Sequence, residues 1–174
     1  MELYNPTNLA VTLDPSWAIV ARGAAGTCAM NAPVLKFFGS GQIVPPHKHF
    51  LVAGAGYAQM PAKDAALFNG DLLDAGSIRL VHGDVVVDTV CYAVDAATQT
   101  ALLGCAIPYV CEGTPVSNLP HDGTAGAGST VDASILRKPG GAAGSGVDTN
   151  NNAADFLSGV KPAAPESLAS PAVP

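Results

Sequence analysis

The apolar residues of this chain fall in short runs rather than in long helical repeats. Val, Ile, Leu and Phe lie in brief segments that are separated by Gly, Pro, Asn or Asp. This spacing is typical of an all-β sandwich or barrel. The predicted strands are ELY, AVTL, WAIVAR, VLKFF, HFLVAG, SIRLVH, VVVDTVCYAV and SILRK.

Two of these strands are joined by the clearest turn signal of the chain. In VHGD, Gly83 accepts a positive φ angle and Asp84 tolerates turn geometry, which indicates a tight hairpin. In the segment VVVDTVCY that follows, strict alternation sends apolar side chains to both faces of the strand. We therefore expect this strand to be central in its sheet.

Two segments lack strand signals. The connection from Ala93 to Ala133 is long for a compact domain, and we expect an elaborated surface loop there. The segment 158–174 is rich in Pro, Ala and Ser, and this composition predicts a flexible tail or linker. The predicted organisation is one domain over residues 2–157, followed by a tail over residues 158–174.

Charge and the distribution of apolar residues argue against nucleic-acid binding and against a membrane span. The 174 residues contain eight basic and fourteen acidic residues, for a net charge of -6, and the basic residues are scattered. Such a chain gains little from counterion release, so we expect no binding to nucleic acid. It also lacks a run of about 18 apolar residues, so we expect no membrane span.

The four cysteines form an even set without the C-x-x-C spacing of a zinc site: Cys28, Cys91, Cys105 and Cys111. Oxidised pairs are the preferred interpretation. Cys105 and Cys111 bracket a short loop, so we expect these two to pair, with Cys28 bonded to Cys91; reduced cysteines in a cytosolic protein are the alternative. Disulfides indicate export. MELYNP has neither the basic start nor the apolar region of a signal peptide, so we expect that export would require a leader removed upstream.

Four longer segments follow one another in an order found in a known family. They are ELYNPTNLAVTLDPSWAIV, GQIVPPHKHFLVAGAGY, GDLLDAGSIRLVHGDVVVDTVCY and SILRKPGGAAGSGVDTNNNAADF. Over about residues 2–156 this order resembles the lamin tail domain. The resemblance implies an immunoglobulin-like β-sandwich with two packed, mainly antiparallel sheets. The high Ala, Gly and Pro content is similar to the bacterial secreted branch, whose domains are usually accessory modules, often beside hydrolases.

The chain departs from the family pattern in three ways. The first strand is shorter than usual, the connection that carries Cys105 and Cys111 is longer, and there is no coiled-coil rod. Filament assembly of the lamin type therefore does not carry over. The expected core includes Trp17, which would fill the space between sheets about 10 Å apart, and Phe156.

The segment 148–156, DTNNNAADF, brings four oxygen-bearing side chains close together in sequence: Asp148, Asn150, Asn152 and Asp155. Alternating oxygen ligands of this kind can bind calcium. The glycine and the glutamate that such a loop requires at its sixth and twelfth positions are replaced by Ala153 and Gly159. The alternative is an Asx-rich turn, in which these side chains bond nearby amides and fix the approach of Phe156 to the core.

Two further groups of residues suggest chemistry. His47 and His49 have alternate spacing, so on a strand both rings would point the same way, as a two-histidine metal site requires. Two ligands are too few, and His82 and His121 would contribute only if the fold brought them close. The alternative is that these histidines are exposed polar residues that flank a strand. Asp88 lies among apolar neighbours and is a candidate base, although hydrogen bonds between strands would also account for it.

Together, the residues and the resemblance predict a non-catalytic accessory module of an exported bacterial protein. Its role would be structural, adhesive or targeting, outside the cell or at the cell surface, with a protein or cell-surface partner. Apart from calcium, no cofactor is expected. The first alternative is a calcium- or carbohydrate-dependent binding module, and the second is a small metal-dependent hydrolase that uses His47, His49 and Asp88.

Overall fold

The computed structural model describes residues 1–23, 34–67, 74–104, 109–118 and 133–174. Most elements in these ranges are short β-strands. The strands are β1 Glu2–Tyr4, β2 Val11–Leu13, β3 Trp17–Gly23, β4 Val34–Phe38, β5 Gln42–Val44, β6 His49–Ala53, β7 Ala65–Ala66, β8 Gly76–His82, β9 Val85–Ala93, β10 Val116–Ser117, β11 Ser134–Arg137 and β12 Phe156–Val160. The helices are α1 Ala96–Gly104, α2 Asn152–Asp155 and a 3₁₀ turn at Gly141–Ala143.

The largest sheet has five strands in the order β10-β9-β8-β3-β4. Its β8–β9 pair is the predicted hairpin, and Gly83 takes the positive φ of 59° that the turn requires. Strand β9 lies inside this sheet, as expected. However, β10 pairs only with Tyr92 and Ala93 at the end of β9. The earlier part of β9 therefore has a strand partner on one side alone among the described residues.

A second sheet of three strands, in the order β1-β6-β7, supplies the other half of the core, and two-stranded ladders join β2 to β5 and β11 to β12. The buried apolar cluster combines side chains from β3 of the large sheet with others from β6 and the β2–β5 pair. Its buried members are Leu13, Ile19, Ala21, Val44, Phe50, Val52 and Leu67. The described chain is thus a mainly β structure in which the five-stranded sheet, the three-stranded sheet and the β2–β5 pair share a core. Within the described residues, no helix is long and apolar enough to cross a bilayer.

Trp17 begins β3 at the margin of this core. It is partly buried and packs against the apolar cluster. The His82 ring stacks on the indole with a centroid distance of 4.5 Å and an interplanar angle of 15°. Phe156 is half-buried, and the Arg137 guanidinium lies 4.5 Å from its ring centroid. One face of each ring is therefore covered by a polar side chain, His82 on Trp17 and Arg137 on Phe156.

The connection after β9 contains α1, which the sequence analysis did not anticipate. Asp95 caps this helix, since its Oδ1 accepts hydrogen bonds from the Thr98 amide at 2.7 Å and from the Thr98 hydroxyl at 2.8 Å. Leu102 anchors the helix from the other end and is fully buried in a second apolar cluster with Cys91 and Tyr109. A capping Asp before an Ala- and Leu-containing run was the signal that could have revealed it.

The expected disulfide pairing is wrong, because Cys91 bonds Cys111 rather than Cys28. Cys28 and Cys105 lie outside the described residues. Cys91 sits on β9 in the second apolar cluster, and the chain returns to this cluster after α1. Closeness in sequence favoured the pairing of Cys105 with Cys111, but the contact between β9 and the returning chain determines the observed pairing. The bond closes a loop with a sequence separation of 20 residues.

The segment 158–174 differs from the expected flexible tail because it lies against the body of the protein. Leu168 packs against the main core, and its amide donates to Asp64 Oδ2 at 2.9 Å. The Val173 amide donates to the His47 carbonyl at 2.9 Å, and Val173 is buried. A few apolar side chains and satisfied amides are thus enough to dock a segment of low-complexity composition.

The same segment brings the two ends of the chain together. The Tyr4 hydroxyl donates to the Val173 carbonyl at 3.1 Å and to the Pro174 carbonyl at 2.6 Å. Lys48 Nζ donates to the Leu168 carbonyl at 3.2 Å. The last residues therefore lie against the end of β1 that carries Tyr4.

Selective loss of the Cys91–Cys111 bond should lower the free energy of unfolding by about 3 kcal/mol. The reason is that the bond, with a sequence separation of 20, closes a loop and so reduces the conformational entropy of the unfolded chain. Urea unfolding of the double variant Cys91→Ala, Cys111→Ala measures this effect. The pairing itself is checked by non-reducing peptide mapping of the denatured, thiol-blocked chain. Cleavage before Asp95 and after Tyr109 places Cys91, Cys105 and Cys111 on three different peptides. A disulfide-linked pair of peptides that joins Cys105 to Cys111 would contradict the structure.

Candidate functional site

Asp155 is the centre of the Asx-rich segment 148–156. Its side chain is fully buried, and both carboxylate oxygens accept hydrogen bonds from the same loop. The Thr149 amide donates to Oδ2 at 2.9 Å, the Thr149 hydroxyl to Oδ1 at 2.6 Å, and the Asn151 amide to Oδ2 at 3.2 Å. The carboxylate thus caps the loop from inside.

These donors set the ionisation of Asp155. Burial alone would raise the pKa of this carboxyl group, but the hydrogen bonds from Thr149 and Asn151 favour the charged form and outweigh burial. The pKa of Asp155 therefore lies below its ordinary value of 3.8. The group is ionised at neutral pH and contributes to the stability of the fold in that form.

Asn152 faces away from the loop and completes the edge of β9. Its side chain is fully buried, Oδ1 accepts from the Cys91 amide at 2.7 Å, and Nδ2 donates to the Thr89 carbonyl at 2.8 Å. Glu112 extends this arrangement, since its Oε1 accepts from the Thr89 amide at 3.1 Å. Two side chains therefore take the place of a neighbouring strand where β10 does not reach.

The four oxygen-bearing side chains proposed to hold calcium have separate tasks. Asn152 is bonded to β9, and Asp155 is bonded to amides of its own loop. Asp148 Oδ1 accepts from the Asn150 amide at 3.1 Å and lies 3.9 Å from Arg137 Nη1. Asn150 holds a positive φ of 57°. These contacts support the Asx-rich turn rather than an ion-binding loop.

Asp88 forms an ion pair that joins β9 to β11. Arg137 Nη2 lies 2.6 Å from both carboxylate oxygens of Asp88, and Arg137 Nη1 donates to the Val147 carbonyl at 3.0 Å. Burial raises the pKa of Asp88, while Arg137 opposes that rise. The carboxylate proposed as a base is therefore held by a guanidinium that also covers Phe156, which is a structural arrangement.

The described histidines do not come together in one site. His47 lies in a turn with a φ of 57° rather than on a strand, and its Nε2 is 2.9 Å from Asn8 Oδ1. His49 opens β6 and is 2% exposed. His82 lies against Trp17, and His121 is outside the described residues. His47, His49 and His82 thus lie in three different environments.

His49 instead meets two glutamates, in a group that we name the terminal cluster: Glu2, His49 and Glu166. One ligand-type atom from each residue lies within 4.8 Å of the other two. His49 Nδ1 is 3.0 Å from Glu166 Oε2, and His49 Nε2 is 3.3 Å from Ser145 Oγ. The Tyr4 ring lies beside the imidazole at a centroid distance of 4.8 Å.

Strand register explains how the terminal cluster forms. In the antiparallel β1–β6 pair, Glu2 is opposite Leu51 and Tyr4 is opposite His49, so Glu2 is a diagonal neighbour of His49 on the same face. Glu166 comes from the docked C-terminal segment. Sequence analysis selected His49 but missed both glutamates, because the segment that carries Glu166 was assigned to a flexible tail and Glu2 stood alone.

The terminal cluster perturbs its own ionisation. Desolvation by burial lowers the pKa of His49, and the negative charge of Glu166 opposes this. Although Glu2 is exposed as a residue, desolvation of its carboxyl group raises the pKa of Glu2 to about 7, and the Glu166 amide and the Met1 ammonium group oppose this rise. Two carboxyl groups and a largely neutral imidazole therefore share a small space.

Comparison of the chain with protein-family models, with curated proteins and with solved structures finds no match.

Replacement of Asn152 by Ala should lower the free energy of unfolding by about 2–4 kcal/mol, because it leaves the Cys91 amide and the Thr89 carbonyl buried without partners. Chemical denaturation measures the loss. Asn150→Gly is the matched control, since it alters the same loop, tolerates the positive φ and should change stability by a few tenths of a kcal/mol. Equal effects of the two substitutions would contradict the role given to Asn152.

Asp155→Asn should lower the free energy of unfolding at pH 7 by about 2 kcal/mol, because hydrogen bonds to a charged acceptor are weakened. The pKa of Asp155 is lowered on folding, so its carboxylate stabilises the fold above pH 3.8, and this stabilisation is lost as the pH falls through the folded-state pKa. The stability difference between wild type and variant should therefore close in acid. Denaturation curves between neutral pH and pH 2 test this, and a difference that is independent of pH would contradict it.

Proposed function

We propose that this chain is a non-catalytic accessory module of an exported protein, with a structural, adhesive or targeting role. The observation that carries the proposal is that the polar side chains around β9 form hydrogen bonds or ion pairs with other residues of the chain. Asp88 and Asn152 each hold one segment of the chain against another, and Asp155 fixes the shape of its own loop, through the contacts described above. These three residues, which the sequence offered as catalytic or calcium-binding candidates, thus make structural contacts.

The proposed architecture is an immunoglobulin-like β-sandwich of the lamin-tail type. Two features support it. The main core is shared by β3 of the five-stranded sheet and β6 of the three-stranded sheet. The four sequence segments that resemble the lamin tail domain also span both of these sheets, from Glu2 to Phe156.

An extracellular or cell-surface location belongs to the same proposal. The Cys91–Cys111 bond supports it, because disulfides persist in oxidising compartments and are rare in the cytosol. The resemblance to the bacterial secreted branch points in the same direction. A module of this kind would act through a neighbouring domain, or through a protein or cell-surface partner.

The purified, oxidised chain should show no turnover above the buffer rate on a panel of phosphate esters, peptides and glycosides, with and without added Zn²⁺ or Mn²⁺. The reason is that Asp88, the candidate base, is bound to Arg137, and His47 and His49 lie in separate surroundings. His49→Ala is assayed in parallel. Metal-activated turnover that is lost in this variant would overturn the non-catalytic proposal and favour a hydrolase.

A further inference from the structure

The terminal cluster has the composition of a metal site, although its members come from distant parts of the sequence. Glu2 belongs to β1, His49 to β6, and Glu166 to the docked C-terminal segment. Their three donor atoms lie within 4.8 Å of one another. Donor atoms bound to one zinc ion at about 2.0–2.2 Å lie roughly 3–4 Å apart, so a small contraction would bring them to ligating distance.

The unusual atom of the terminal cluster is His49 Nδ1. The imidazole is 2% exposed, yet this nitrogen has no hydrogen-bond partner. Glu166 Oε2 lies 3.0 Å from it, within ion-pair distance but without the alignment of a hydrogen bond. A buried polar atom in this condition destabilises a fold unless another group satisfies it.

The other ring nitrogen shows how Nδ1 would become available. His49 Nε2 lies 3.3 Å from Ser145 Oγ, which is itself buried. If Nε2 carries the proton and donates it to Ser145, the lone pair of Nδ1 faces the two carboxylates. Metal-binding histidines commonly use their second nitrogen in this way, to fix the tautomer and the orientation of the ring.

We propose that Glu2, His49 and Glu166 bind one divalent cation of the zinc class, which fastens the C-terminal segment to the three-stranded sheet. One imidazole nitrogen and two carboxylates form a donor set that suits zinc, whereas magnesium and calcium favour sites made entirely of oxygen. The cation also offsets the negative charge of Glu166 and favours the ionised form of Glu2. Glu2 is exposed, which gives the ion a path from solvent.

Fastening Glu166 has a consequence for the rest of the segment. Two residues beyond it, the Leu168 amide is bonded to Asp64, and the Val173 amide is bonded to the His47 carbonyl. These contacts are few, so the segment should open more easily than the sheets. An ion bound only in the docked state stabilises that state, and the effect increases with its concentration.

The test uses the full chain without a histidine tag, stripped of metal and then titrated with Zn²⁺. Isothermal calorimetry and elemental analysis after gel filtration should give one ion per chain. Amide hydrogen exchange over residues 162–174 should slow at least tenfold on zinc addition, and exchange in β3 and β8 should change little. Mg²⁺ at the same concentration should have no such effect.

Glu166→Gln is the main variant, because it keeps the shape of a partly exposed side chain and should preserve folding. It should weaken zinc binding at least tenfold and abolish the slowing of exchange. Asp84→Asn, in the exposed β8–β9 turn, is the carboxylate control and should behave as wild type. His82→Gln is the corresponding histidine control.

The competing arrangement is a proton shared between His49 and Glu166, without any metal. No zinc uptake, uptake that is equal in Glu166→Gln and wild type, or uptake without protection of residues 162–174 would each overturn the proposal. Turnover in the hydrolysis panel would contradict the accessory role, but it would leave the metal site standing. Failure of one proposal is thus distinguishable from failure of the other.

Discussion

The free edge of β9 is the constraint on which much of the structure depends. Backbone groups at Thr89 and Cys91 point away from β8 into a buried region, where unpaired amides and carbonyls would be costly. In the described residues they are satisfied by the side chains of Asn152 and Glu112. This solution requires segment 148–156 to lie beside the strand, and the buried carboxylate of Asp155 gives that segment its shape. The disulfide and the ion pair to Arg137 attach further segments to the same strand.

The regular part of the fold was accessible from the sequence because it follows local rules. All eight predicted strands coincide with observed ones, and Gly83 marked the hairpin. Apart from α1, which has a local capping signal at Asp95, what the sequence did not reveal depends on contacts between distant residues. The pairing of Cys91 with Cys111 needs the return of the chain after α1, and strands such as β10 and β7, each of two residues, carry too little pattern to be recognised.

The candidate sites show the same division. Sequence analysis identified 148–156 as a functional or structural loop and named its turn interpretation, but it could not assign Asn152 to β9, because that partner is about sixty residues away. It selected His49 through its spacing from His47, whereas the structure surrounds His49 with residues from both ends of the chain. Glu166 was hidden by its context: a Pro- and Ala-rich composition describes how little a segment can bury, not whether a few well-placed contacts hold it.

The meeting of the two ends at Tyr4 has a geometric consequence for any larger protein that contains this chain. Because the Tyr4 hydroxyl reaches the backbone oxygen of Pro174, residue 174 lies beside the end of β1 that carries Tyr4. Polypeptide attached before residue 1 would leave from the other end of this short strand, about 10 Å along it. A module attached through both ends would then branch from its host rather than lengthen it as an in-line spacer, and such a branch can be inserted into a surface loop with little separation of the loop's ends.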